Sequence, residues 1–101
     1  MPTVLQIDFP FHGPFAEQMQ QAMQPLAESI SQEPGLIWKI WTENAETQEA
    51  GGVYLFSDAV SAQIYLEMHS ARLSANGVTN IRAKLFAVNT PLSLICKGPI
   101  Q

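Results

Sequence analysis

Two strand–helix–strand halves of similar length, joined by a polar loop at 44–48, predict an α+β subunit with a four-stranded antiparallel sheet and both helices on one face. Three observations carry this prediction. Hydrophobic periodicity alternates between two, the mark of a strand, and about 3.6, the mark of a helix, in the order βαββαβ. Turn signals, His12-Gly13-Pro14, Pro34-Gly35 and Asn76-Gly77, fall where the period changes. The strands of the hairpin at 35–56 and the last strand are apolar in both phases, so each face of the sheet needs a cover. The order is the split βαβ, or ferredoxin-like, arrangement. Helices cover one face, and the economical cover for the other is a second copy of the sheet, which predicts a homodimer with enclosed pockets.

Residues 3–11 alternate Leu5, Ile7, Phe9 and Phe11 against Val4, Gln6, Asp8 and Pro10, the pattern of a first strand with one more polar face. Pro14 suits the first turn of the helix that follows, because its missing N–H would have no partner there. Phe15, Met19, Ala22, Met23, Leu26 and Ile30 then form one apolar stripe. Pro25 within it cannot donate to the Gln21 carbonyl, which predicts a bend. In the hairpin, alternation puts Leu36, Trp38 and Ile40 on one face and Ile37, Lys39 and Trp41 on the other; the second arm splits Val53 and Leu55 from Tyr54 and Phe56. Asp58 is the expected cap of a second helix, whose stripe is Ala62, Leu66, His69 and Leu73 with Tyr65 beside it, stopping at Asn76-Gly77. Residues 78–88 read as the last strand. The tail 91–101 carries Leu92, Leu94, Ile95 and Ile100, which suggests that it lies across a partner subunit.

A chain of 101 residues is one domain, 1–101, with a core small enough to gain from burial against a partner. With 47% hydrophobic and 14% charged residues, the composition is that of a compact body. A net charge of −4 with five Lys and Arg argues against nucleic acid as a partner. No leader pattern or bilayer-length apolar run is present, so a cytoplasmic protein without membrane association is expected. The lone Cys96 fits a reducing compartment and reads as a small tail residue.

Zinc-spaced cysteines, HExxH, a phosphate-binding glycine loop and a nucleophile elbow are all missing from the sequence. The remaining signals are subtler. His69 interrupts an apolar stripe, either as a proton acceptor tuned by a dry cavity or as a core histidine with one satisfied hydrogen bond. Trp38, Trp41, Tyr54 and Phe56 could line a slot for a flat ring, the alternative being core or dimer packing. Gly51-Gly52 marks a bulge or leaves room for a bound molecule. Met19 and Met23 offer an adaptable pocket wall, or ordinary core. Gln6 and Asp8 could hydrogen-bond a ligand or stay wet at the rim. A metal site from Asp8, His12 and His69 would need unrelated elements to converge, and no metal is assigned.

Taken together, Leu5-Gln6, Gly13-Pro14-Phe15, Pro25-Leu26-Ala27-Glu28-Ser29-Ile30, Gln32-Glu33-Pro34-Gly35, Trp38-Lys39, Trp41-Thr42-Glu43, Glu49-Ala50-Gly51-Gly52, Tyr54-Leu55-Phe56 and Ala71-Arg72-Leu73 closely resemble the YdhR family of mono-oxygenases, of the dimeric α+β barrel superfamily. The resemblance runs nearly end to end. It implies a ferredoxin-like subunit pairing face to face with a second copy, and oxygenation of a small phenol, quinol or polyketide-like aromatic without flavin, metal or other cofactor. The implied roles are proton acceptor for His69, hydrogen bond to a substrate oxygen for Tyr54, and a ring clamp from Trp38 and Phe56, with Gln6 and Met23 completing the lining. Haem-degrading relatives use a strand Asn, where this first strand offers Gln6, so haem chemistry is not expected. A dimeric small-molecule binding protein with the same pocket and no chemistry is the alternative.

Overall fold

Residues 1–100 are described by a computed structural model, in the order β1 (Thr3–Pro10), α1 (Ala16–Ile30), β2 (Leu36–Asn44), β3 (Glu49–Phe56), α2 (Ala59–Ala75), β4 (Arg82–Ala87) and α3 (Thr90–Ile95). The strands form one antiparallel sheet in the order β2-β3-β1-β4, the topology the sequence predicts. Alternation along β1 is clean: Leu5, Ile7 and Phe9 are buried while Gln6 and Pro10 are exposed. Leu5, Tyr54 and Phe56 are fully buried under the helices, each worth about 1.5–3 kcal/mol of transfer free energy.

Each helix start is satisfied differently. The Asp58 carboxylate accepts from the backbone N–H of Ser61 at 2.7 Å, the cap expected for α2. For α1, Phe15 supplies no side-chain cap, and the Glu43 carboxylate, reaching over from β2, accepts from the Ala16 N–H at 2.8 Å. Pro14 therefore precedes α1 and does not occupy its first turn. Pro25 lies within an unbroken α1 on its exposed side, where water can solvate the Gln21 carbonyl that loses its donor. Gly77 closes α2 with φ at +88°, the left-handed stop expected there.

Three local expectations are corrected. The last strand is shorter than 78–88: the Val78 N–H still bonds the Leu73 carbonyl of α2, and pairing with β1 begins at Arg82. Register is continuous through Gly51 and Gly52, and the irregularity in the hairpin lies between Leu36 and Trp38. Ile37 is the extra residue, so Leu36 opposes Phe56 and shares the helix face with Lys39 and Trp41, while Trp38 opposes Leu55 on the other face.

The register defines rows across the sheet. On the helix face run Leu36–Phe56–Thr3–Ala87, then Lys39–Tyr54–Leu5–Leu85, then Trp41–Gly52–Ile7–Ala83. On the open face run Trp38–Leu55–Val4–Phe86, then Ile40–Val53–Gln6–Lys84, then Thr42–Gly51–Asp8–Arg82. The tail forms α3, capped by Asn89, and the carbonyl of Pro99 accepts from Trp38 Nε1 at 2.7 Å, which fixes the tail against the apolar end of this chain's own open face. Leu55 is 0% exposed on that face, consistent with a cover there.

Candidate active site

Between α1, α2 and the sheet lies a cavity of about 400 Å³. Its apolar wall comes from Phe9, Phe11, Met19, Met23 and Leu26, and its polar groups from Lys39, Tyr54 and His69, with Asn76 at the end of α2. A space of this volume takes a small ring system. The periodicity of α2 puts Ala62, Tyr65 and His69 on one buried line, which aims the imidazole inward from a rigid helix.

The polar groups form a connected cluster. Tyr65 and His69 stack with ring centroids 5.0 Å apart, and the Tyr65 and Tyr54 hydroxyls share a hydrogen bond of 3.2 Å. Two hydroxyls bring two protons and the bond between them uses one, leaving the other to donate. Burial pushes both phenols up, Tyr65 to about 12 and Tyr54 further, so both stay protonated at neutral pH. Arg72, one turn beyond His69, donates to the imidazole Nδ1 from Nη2 at 2.8 Å and from Nε at 3.2 Å. A guanidinium has only donors, so Nδ1 accepts and the ring proton resides on Nε2. Burial, then the charges of Arg72 and Lys39, hold His69 down at about 4, neutral at physiological pH. The expectation of His69 as proton acceptor is thereby corrected: its lone pair is engaged by Arg72, and what it has to offer is the Nε2–H.

Lys39 is the residue that sequence reasoning missed. Its Nζ sits 3.4 Å from the centroid of the Trp41 ring and 4.7 Å from that of Tyr54. Burial and then the Arg72 charge lower its pKa from 10.5 to about 7. The signal was present: Lys39 is the only charged residue between Leu36 and Thr42, on an arm apolar in both phases, and Gly52 stands on the neighbouring strand. A Cβ on Gly52 would lie 2.7 Å from Lys39 Cε, so the missing side chain is what lets the lysine cross into the interior.

Of the other residues expected at the site, Met23 lines the cavity. Phe56 is 0% exposed and backs Tyr54, with centroids 6.2 Å apart, without reaching the cavity wall. Trp38 and Gln6 lie on the open face of the sheet, so Trp38 and Phe56 cannot clamp one ring between them; the Ile37 bulge and strand alternation are the reasons. Trp41, in phase with Tyr54, is the tryptophan at the cavity. Asp8 pairs with Arg82 on the open face and His12 bonds Gln48 in the loop, both apart from His69.

Among curated proteins none matches the sequence. Solved structures share its fold. SnoaB, a cofactor-independent oxygenase from Streptomyces nogalater, superposes with a TM-score of 0.62 at 14% identity, over 87% of this chain and 93% of that one. An antibiotic biosynthesis mono-oxygenase of Deinococcus radiodurans, itself described as putative, gives 0.59 at 13% identity over 88% and 93%. A structural genomics protein, YJCS, gives 0.61 at 11% over 87% and 98%. No helix among the described residues is long and apolar enough to cross a membrane. The family model described as "Putative mono-oxygenase ydhR" matches residues 4–99, nearly the whole chain, and the protein belongs to that family.

Proposed function

We propose that this protein is a cofactor-independent mono-oxygenase acting on a small phenol, quinol or polyketide-like aromatic held between helices and sheet. A general mono-oxygenase role comes with the family. The observation that carries the finer reading is that Tyr54 and His69 meet on the wall of an otherwise largely apolar cavity of about 400 Å³. A ring that becomes electron-rich on losing a proton can itself reduce oxygen, supplying the electrons that turn the second oxygen atom into water. The protein then has to orient the ring, assist the ionisation and keep water out. Trp41 and Met23 orient the ring, while the hydroxyl proton left by the Tyr54–Tyr65 pair and the Nε2–H of His69 hydrogen-bond an oxygen that gains negative charge.

The reading includes a homodimer formed through the open face, on which Ile40 is 55% and Phe86 47% exposed. An oxygen electrode and a panel of hydroquinones test the chemistry. Uptake by the wild type that disappears in His69→Ala is the expected result, and turnover unchanged by that substitution removes His69 from the mechanism. Thermal stabilisation by the same panel without any oxygen uptake would favour the small-molecule binder instead.

A further inference from the structure

We propose that Lys39 is the proton acceptor of this cavity and then the counter-charge of the anion it creates, so that the site selects aromatic ligands carrying an acidic hydroxyl. The inference rests on the cavity assignment above and deepens it. Three features of the structure support it.

First, the Lys39 amine is inside. It stands on the helix-face row with Tyr54, crosses over Gly52, and places Nζ over the faces of Trp41 and Tyr54, where an ammonium is stabilised by the ring quadrupoles. Secondly, no acid answers it. Among the described residues both ion pairs belong to Arg82 on the open face, and the cavity lining contains no carboxylate. The titratable groups packed about Lys39 are Tyr54 on β3, Tyr65 behind it, and His69 and Arg72 on α2; α1 and β1 contribute Met19, Met23, Leu26 and Leu5. Thirdly, the other nitrogen base of the cavity is engaged, because Arg72 donates to His69 Nδ1.

The two rings favour the ammonium, but burial and the Arg72 charge outweigh them. Burial and the fixed positive charge of Arg72 hold the amine at about 7, so a neutral acceptor is populated at neutral pH. In the step proposed, the ligand O–H bond breaks, an N–H bond forms at Nζ, and the electron pair stays on the ligand oxygen. No net charge enters the cavity, and the ammonium and the Arg72 field then stabilise the phenolate. A carboxylate opposite Lys39 would have kept the amine protonated and repelled the anion.

4-Nitrophenol, whose phenolate absorbs in the visible, tests the binding of the anion separately from oxygen uptake. At a pH where the free probe is mostly protonated, wild-type protein should bind it with the phenolate spectrum. In Lys39→Met the phenolate spectrum should be lost and affinity should fall about tenfold, as for loss of a charged hydrogen bond. 4-Nitroanisole, the same ring without the acidic proton, should bind wild type and Lys39→Met equally, which establishes that the variant is folded and its cavity intact. In Lys39→Arg the phenolate spectrum should persist through the retained charge, while the limb near pH 7 in the pH profile of oxygen uptake should vanish. Phenolate bound as tightly by Lys39→Met as by wild type would overturn the inference and leave the mono-oxygenase reading standing. A Lys39-dependent phenolate spectrum in a protein that consumes no oxygen would do the reverse.

Discussion

Each face of this sheet carries a cation with a shifted pKa, and the two are shifted in opposite directions for opposite reasons. Arg82 on the open face is exposed and touches two carboxylates, Glu49 and Asp8, which raise its pKa, while a hydrogen bond from Thr47 and then one from Arg82 hold Glu49 below its ordinary value. Among the described residues no acid lies against Lys39 on the helix face, and it is pushed the opposite way, to about 7, by burial and by Arg72. Water screens the first arrangement, so it contributes little to stability. In the second, exclusion of water turns a common surface residue into a group that changes charge at neutral pH. The same four strands thus hold a water-screened ion pair on one face and a buried lysine on the other, through alternation, the Ile37 bulge and the bare Gly52.

The largest expected break in this contrast is Phe56→Ala. It empties a fully buried position behind Tyr54 and should cost about 3–5 kcal/mol in denaturant unfolding, whereas Ile40→Ala on the open face should cost under about 1 kcal/mol in a lone subunit. A larger loss at Ile40 that depends on protein concentration would identify that face as an interface. Next comes Gly51→Ala, whose Cβ would stand 1.9 Å from the Ile7 carbonyl oxygen and 2.8 Å from Asp8 Cα, both backbone, at a cost of about 1–3 kcal/mol. Gly52→Ala should unfold less readily than Gly51→Ala, because the nearest atom it meets is the far end of Lys39, but it should drive that side chain outward and return its titration towards 10.5.

Lys39→Met should stabilise the protein near neutral pH by about 1 kcal/mol, seen as a rise in melting temperature. The pH dependence has a definite sign. Between about 7 and 10.5 the unfolded lysine binds a proton that the folded one does not, so stability rises with pH across that window in the wild type, and this rise should flatten in the variant. His69 works likewise between about 4 and 6.5, its contribution being lost as pH falls. Arg82→Ala is the smallest expected effect: the melting temperature should hardly move, and any shift should shrink further in high salt.

Nearly all of the fold was legible in the sequence, because period and punctuation agreed at each step from the Leu5, Ile7 and Phe9 alternation to the Gly77 stop. What escaped were the late start of β4, the helix in the tail and, in the hairpin, an offset of one residue. Strict alternation carried Leu36 to the wrong face because Ile37 adds a residue that no local pattern announces. The site was half legible: His69, Tyr54 and Met23 lie where the stripes put them. Lys39 was overlooked because a lysine on a strand ordinarily marks the wet side, and only its strand partner Tyr54 and the bare Gly52 beside it reveal the inversion. The occupation of His69 Nδ1 by Arg72 likewise depends on rotamers, which spacing alone does not specify.

The Ile37 bulge also bears on how β2 tolerates changes in length. From Trp38 to Asn44 the strand keeps step with β3, and Leu36 already opposes Phe56, so shortening the chain by this one residue would leave every side chain facing as it does now. Deletion of Ile40, which lies between Lys39 and Trp41, would instead turn one side of the strand over and move one of those two off the helix face. Tolerance to length change in this strand is therefore concentrated at a single exposed isoleucine.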